Sequence, residues 1–571
     1  MNVGSETRKR AFIAMLQDTT NAAIALHLQL APTNPEAAEL ALTTVLRRKG
    51  RVLEAVTDTF QRLRQNLSSQ DQPLLTELQA KQSQLAALIY GGIGGRSPDG
   101  YRAQVTELRS QIEILENTLS QRSAEFRVET QSVTVEAIAQ QIPVNTVLIE
   151  WVQYQPLNFQ TQPQNQLQNQ WDEPRYAAYL LDADGTIQWV DLGKAAAIDE
   201  LINQYRDALR RQNFRIEGIA RQLDAQIMQP IRSRLGNAQH LLLSPDGQLN
   251  LIPFAALVDE NEHYLIETYT LTYSTSGRDL LRQQLDSPSR QSPVLIANPD
   301  YDTPGNPTPQ VAIAPPGTIT RSGDAAQPLA NQRSTDLSTQ RFAPLPGTAA
   351  EANAIFPLLP HATLLTGSQA TENNLKQLQG PSILHIATHG FFFRNVEFVP
   401  PPDALTQGFS TLPTAMGAQM RQTSQGINNE NPLLRSGLAL AGFNPRHSGT
   451  EDGVLTALEA SGLDLRGTQL VVLSACDTGL GEVVNGEGVY GLRRAFLMAG
   501  AESLVMSLWK VDDYATSELM ARYYQRLQQG EGRSEAFRQV QLEMLQTSEY
   551  QHPYFWAAFI FSGDWQRLNG G

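Results

Sequence analysis

One cysteine and eight histidines supply all the thiol and imidazole chemistry of this 571-residue chain. One of each stands where an apolar stretch gives out. Cys476 follows Leu470–Ala475 (LVVLSA) and precedes the polar turn Asp477–Gly479, while His389 follows Ile383–Thr388 (ILHIAT) and precedes Gly390. A thiol attacks a carbonyl as its thiolate, and a neighbouring imidazole takes the proton and later delivers it to the leaving amine. The tetrahedral oxyanion needs backbone N–H donors, and Gly390 and Cys476 are the candidates to supply them. Removing one such donor typically costs about 3 kcal/mol in the transition state. The pair therefore reads as His389 the general base and Cys476 the nucleophile.

Each residue also has a plainer role to weigh. A cysteine beside Val471, Val472 and Leu473 is more often a small buried hydrophobe, but its place just past the strand argues for an exposed mouth. His385 alternates with Leu384 and Ile386 and is expected to be structural. His385 and His389 do not suggest a metal centre, because a strand does not bring positions four apart onto one ion and no acidic ligands accompany them. The other histidines (His27, His240, His263, His361, His447 and His552) occupy no comparable context. Gly486–Gly491 (GEGVYG) matches G-x-G-x-x-G, yet it lies about a dozen residues beyond its strand, and Glu487 would oppose a pyrophosphate. Those glycines are expected to serve a tight turn and close helix packing. No cofactor and no metal are expected.

The elements that must hold His389 and Cys476 are legible in the apolar spacing. Strands are expected at Thr363–Leu365, Ile383–Ala387, Gly437–Ala441, Leu470–Leu473, Ser503–Ser507 and Ala558–Phe561. Helical patterns separate most of them, at Ala349–Leu359, Glu372–Leu378, Thr456–Ser461, Gly488–Ala499, Asp513–Gln529 and Arg533–Leu545. Short apolar strands alternating with helices indicate an α/β fold with a mostly parallel sheet covered on both faces, whose sites gather at the strand carboxyl ends. The unit spans 291–571, with a Pro/Thr/Ser-rich flexible loop at about 304–344. Before it, 133–290 shows a first α/β alternation, with strands at Val147–Val152, Tyr176–Leu181, Ile187–Leu192 and His240–Leu243. Residues 1–132 are helical. Leu74, Leu78, Leu85 and Leu88, then Val105, Leu108, Ile112, Leu115 and Leu119, flank the turn Gly91–Gly100 and predict an antiparallel helical hairpin.

The formal net charge of −14 makes nucleic acid and anionic membranes poor partners. One cysteine permits no intrachain disulfide, which fits a reducing compartment. Arg8, Lys9 and Arg10 precede an apolar stretch broken by Gln17, Asp18 and Asn21, which is no signal-peptide core. A cytosolic, cytoplasmic protein is expected.

The wording around the two strand ends is more specific than a dyad alone. Leu345–Asn353 (LPGTAAEAN), His385–Phe391 (HIATHGF), Leu473–Gly479 (LSACDTG), Gly486–Phe496 (GEGVYGLRRAF), Ser507–Asp513 (SLWKVDD) and His552–Phe559 (HPYFWAAF) occur in order over most of residues 240–565. This text resembles the caspase/separase-type cysteine peptidases of clan CD and, most closely, the CHAT domain found in bacterial proteins. The resemblance implies a caspase-like sheet, a degenerate caspase-like unit over 133–290, and a hydrolase with His389 and Cys476 catalytic. In separases a W-x-V-x-D stretch supplies an acidic residue to the pocket for a basic side chain. Here Asp513 takes that position with Asp512 beside it, which implies cleavage after Arg or Lys. Either aspartate could instead cap the helix beginning near Tyr514. The family commonly carries a tetratricopeptide array ahead of this domain, so a regulatory or tetratricopeptide-repeat partner joins the protein substrate among expected partners. The rival reading is a silent scaffold acting through protein contacts.

Overall fold

The computed structural model describes residues 4–57, 71–92, 95–125, 133–158, 171–282, 287–306, 340–393, 431–475, 478–510 and 512–569. Cys476 and the middle of the expected 304–344 loop lie outside the described residues. Among those described, sixteen strands occur. The first five are β1 (Thr146–Tyr154), β2 (Arg175–Asp182), β3 (Ile187–Lys194), β4 (His240–Ser244) and β5 (Thr270–Tyr273). Then come β6 (Val294–Pro299), β7 (Thr363–Gly367), β8 (Ile383–Ala387), β9 (Gly390–Phe392), β10 (Ser436–Ala439) and β11 (Val454–Thr456). The last are β12 (Leu470–Ser474), β13 (Glu482–Val484), β14 (Gly488–Tyr490), β15 (Ser503–Ser507) and β16 (Phe559–Gly563).

Eleven of them form one sheet in the order β3-β2-β1-β4-β5-β16-β15-β12-β8-β6-β7. The two α/β stretches read separately in the sequence therefore share a single continuous sheet. β1, β4, β5 and β16 are parallel neighbours, as are β15, β12, β8, β6 and β7. The blocks meet at the antiparallel pair β15–β16. Their strand carboxyl ends consequently face opposite edges of the sheet. Every residue of β8, β12 and β15 is buried, as expected of short apolar strands covered on both faces.

Helices flank the sheet. Pro346–Ile355 packs on Asp513–Gln528, which packs on Arg533–Gln546, and Ala457–Ala460 packs on Leu492–Ala499. The N-terminal region is helical as its spacing implied, with Asp71–Gly91 and Pro98–Glu125 packed together. Pro35–Arg48 begins with Pro35 in the first turn and the Asn34 side chain accepting from Ala37 N–H, a cap that satisfies one of the helix's unpaired donors.

Two expectations are corrected. The strand expected at Gly437–Ala441 belongs to a small antiparallel sheet, β11-β10-β9, apart from the main one. The helix expected from Gly488 begins at Leu492, because Gly488–Tyr490 pairs with Glu482–Val484 as a hairpin. That hairpin reaches far from its own neighbourhood. Gly486 N–H donates to Asp246 Oδ1 at 2.8 Å, and Gly486 O accepts from Gly50 N–H at 2.7 Å. The Glu487 carboxylate accepts from Val52 N–H at 3.2 Å. Beside this junction Lys49, 3% exposed, donates through Nζ to Glu150 Oε2 (2.9 Å), Trp151 O (2.9 Å) and Ser244 O (2.6 Å). Glu150 is fully buried and also accepts from Ser244 Oγ at 2.6 Å. The carboxyl end of β4, where Ser244 pairs with Glu150 of β1, is thus closed by an ion pair to Lys49 of the helical region.

Candidate active site

His389 enters the site because β8 ends two residues before it. Ala387 pairs with Ser474 in parallel register, and Thr388 N–H continues the pairing to Ser474 O at 3.3 Å. Counted along the chain, His389 and Cys476 each follow that last pair by two positions. Thr388 is buried, with its hydroxyl against Tyr301 Oη at 2.9 Å and donating to Ala439 O. His389 O accepts from Ala439 N–H at 2.9 Å, so the turn is held on both sides of the histidine.

The ring is positioned by a stretch that has no apolar periodicity of its own. His389 Nε2 lies 2.9 Å from Ala343 O. A carbonyl only accepts, so Nε2 carries the proton and Nδ1 keeps its basic lone pair. Phe342 stacks on the imidazole with centroids 4.5 Å apart and planes 19° from parallel, and Tyr301 lies 5.3 Å away. Asn444 clamps this stretch: Oδ1 accepts from Phe342 N–H and Nδ2 donates to Phe342 O, both at 2.9 Å. Burial holds the His389 pKa down at about 4. The Lys510 charge pushes the same way and the Ala343 carbonyl opposes it. The imidazole is therefore neutral, and able to accept a proton, at neutral pH.

Gly390 pairs with Leu438 in the small sheet. His389 O takes a hydrogen bond from Ala439 and Phe393 N–H gives one to Arg435 O at 2.8 Å. Alternation in an antiparallel ladder then leaves Gly390 at a non-hydrogen-bonded pair, its N–H directed away from β10.

The segment flanking Cys476 is pinned to the end of β15. Ser507 Oγ donates to Ala475 O, Gly479 N–H donates to Ser507 O at 2.7 Å, and Ser507 N–H donates to Thr478 Oγ1 at 3.1 Å. A Cβ at Gly479 would stand 2.9 Å from Leu508 Cδ2 and 3.0 Å from Ser507 O, so only glycine lets the chain approach β15 this closely.

A cavity opens beside Ala475, with about 440 Å³ of empty space that includes open solvent, and its walls include Gly347, Ser474, Trp509, Lys510 and Asp513. The two candidate aspartates part company here. Asp512 caps the helix Asp513–Gln528, its carboxylate accepting from Tyr514 N–H at 3.0 Å and Ala515 N–H at 3.1 Å. Asp513 lies at the cavity rim against Gly347, where an added Cβ would come within 2.3 Å of Asp513 Cβ. Burial raises the Asp513 pKa and the charge of Lys510 lowers it. His385 is buried within β8, with Nδ1 3.1 Å from Tyr524 Oη, as a structural histidine should be.

Sequence reasoning missed Phe342, Ala343 and Asn444, whose roles depend on a contact between segments a hundred residues apart. It also missed a cluster of Glu372, Glu451 and Glu459, whose carboxylates surround the Lys376 ammonium at 2.7, 3.2 and 3.0 Å. Among the described residues, no helix is long and apolar enough to cross a membrane.

A mostly parallel sheet flanked by helices, with His389 just past the end of β8, makes this an α/β protein. A model of the CHAT domain matches residues 217–564, and the chain belongs to that family. Curated relatives include Tetratricopeptide repeat protein 28 of Homo sapiens, 26% identical over 346 residues, 59% of this chain and 12% of the relative. The Mus musculus protein of the same name is 26% identical over 378 residues, 63% of this chain and 14% of the relative. The chain thus spans only a small part of these proteins. Among solved structures it resembles the Arg-specific cysteine proteinase gingipain R, with TM-score 0.31, 9% identity and coverage of 64% of this chain and 68% of that one. It also resembles the Saccharomyces cerevisiae separase in complex with securin, with TM-score 0.40, 10% identity and coverage of 97% and 37%.

Proposed function

We propose that the chain is a cysteine endopeptidase. The Cys476 sulfur attacks a peptide carbonyl as His389 Nδ1 takes the thiol proton. The N–H groups of Gly390 and Cys476 hold the oxyanion. Collapse breaks the C–N bond, His389 returns the proton to the leaving amine, and water then hydrolyses the thioester to a carboxylic acid and the free thiol. The observation that carries this reading is the His389 ring, fixed through Nε2 by Ala343 O and left basic at Nδ1, on the strand end neighbouring β12.

Asp513 at the rim of the adjoining cavity favours a basic side chain on the amino side of the scissile bond (P1), through a charge-assisted contact. Asp512 is occupied as a helix cap, which narrows the reading to Asp513. Residues 133–290 fit a degenerate caspase-like counterpart, since the carboxyl end of β4 is closed by the Lys49–Glu150 pair. A protein segment with an exposed Arg or Lys is the substrate class.

The test is cleavage of a P1-Arg fluorogenic peptide, with Cys476→Ala and His389→Ala each expected to abolish turnover. Activity persisting in either variant would sink the dyad.

A further inference from the structure

We propose that Glu351 is the deep carboxylate of the P1 pocket, and that Glu351 at the floor and Asp513 at the rim together select a long basic side chain. This deepens the peptidase reading and rests on it.

Glu351 belongs to the helix Pro346–Ile355, is 2% exposed, and lines the cavity beside Ala475. One oxygen is committed: Ser474 Oγ donates to Glu351 Oε2 at 2.8 Å. The other, Oε1, is buried and accepts no hydrogen bond among the described residues, although His385 Nε2 lies 3.2 Å away. An ionised carboxylate has about four acceptor positions, and a buried one left partly empty is costly unless a donor arrives. A guanidinium or ammonium entering from the cavity is such a donor, and its charge compensates the buried anion.

The spacing suits one long side chain rather than two ligands. Asp513 lies against Gly347, and Gly347 and Glu351 are four apart on one helix, hence on the same face about 6 Å apart. The two carboxylates therefore line the same cavity beside one face of that helix. A lysine or arginine stem can pass the first and reach the second. Electrostatics agree, because the charge of Glu351 is among the influences that raise the Asp513 pKa. Ser474 precedes Cys476 by two residues, so the side chain that orients Glu351 belongs to the strand that carries the nucleophile.

A structural alternative exists in the same contacts, since Tyr524, His385, Glu351 and Ser474 could merely tie two helices to β8 and β12. Four fluorogenic peptides differing only at P1, with Arg, Lys, citrulline or Met, separate the two roles. Citrulline keeps the shape of arginine and lacks its charge. Glu351→Gln should lower the Arg-to-citrulline ratio of kcat/KM on the order of 100-fold, and Asp513→Asn should lower it less, being at the exposed rim. Should Glu351→Gln not fold, Glu351→Asp keeps the charge but withdraws it by one methylene, and should shift preference from Lys towards the longer Arg. An equal loss on all four peptides, or an unaltered Arg-to-citrulline ratio, overturns the proposal while Cys476-dependent cleavage keeps the peptidase reading. Absence of any Cys476-dependent cleavage across the four overturns both.

Discussion

Replacing Phe342 by alanine should return His389 towards ordinary imidazole behaviour. The folded ring titrates at about 4, against 6.5 for a free histidine, chiefly because it is shielded from water. That depression changes the protonated fraction at fixed pH by roughly 300-fold. Phe342 covers one imidazole face at 4.5 Å. Its removal admits water to that face, while Tyr301 and the Ala343 carbonyl remain and the Lys510 charge still opposes protonation. The pKa of His389 in Phe342→Ala should then rise to about 5 or above. The measurement is the Cε1 proton shift against pH, with His389→Ala giving the assignment. In wild type the acid limb of kcat/KM should lie near pH 4 to 5, and in the variant it should move upward. The stability consequence has a definite sign. Because the folded pKa lies below the unfolded one, the unfolded chain takes up the proton first as pH falls. Stability is therefore greatest above pH 6.5 and is lost between 6.5 and about 4. Phe342→Ala should narrow that window from below. A wild-type His389 titrating near 6.5, or a variant titrating where the wild type does, would refute the account of the ring.

Lys49→Met leaves Glu150 buried and without its cation, at a cost of about 3–5 kcal/mol. Urea denaturation followed by tryptophan fluorescence reads this, and Lys49→Met/Glu150→Leu should recover much of it; a loss below about 1 kcal/mol in the single variant would deny the pair its role. Asp512→Ala should cost about 1 kcal/mol by uncapping its helix, without altering P1 preference. A changed preference in that variant would return Asp512 to the pocket.

Much of this fold could be read from local pattern. β8, β12 and β15 are short, mostly apolar strands of five residues, each buried along its whole length, and the ends of β8 and β12 pointed to His389 and Cys476. Two features escaped for the same physical reason. The pairing of β5 with β16, which fuses the sheet, joins Tyr273 to Ser562, and no periodicity in either strand encodes its neighbour. The seat of His389 on Phe342 and Ala343 comes from the end of a Pro/Thr/Ser-rich stretch expected to be loop, and it is ordered by Asn444 across a hundred residues. Gly437–Ala441 misled because an apolar strand has the same spacing in a small antiparallel sheet as in a large parallel one.

The place of β16 has a consequence for how the protein comes into being. Residues 559–563 lie between β5 and β15, so during synthesis both blocks are made before the strand that joins them. Until it arrives, β5 and β15 each present an open edge with unpaired amides and carbonyls, the exposure that invites mispairing. The same strand supplies Phe559 to the wall of the cavity beside Ala475. A ribosome-bound chain can thus carry its cysteine and histidine while the pocket beside them still lacks a wall. The topology makes the joined sheet a late product of translation, closed only once residues 559–563 have emerged.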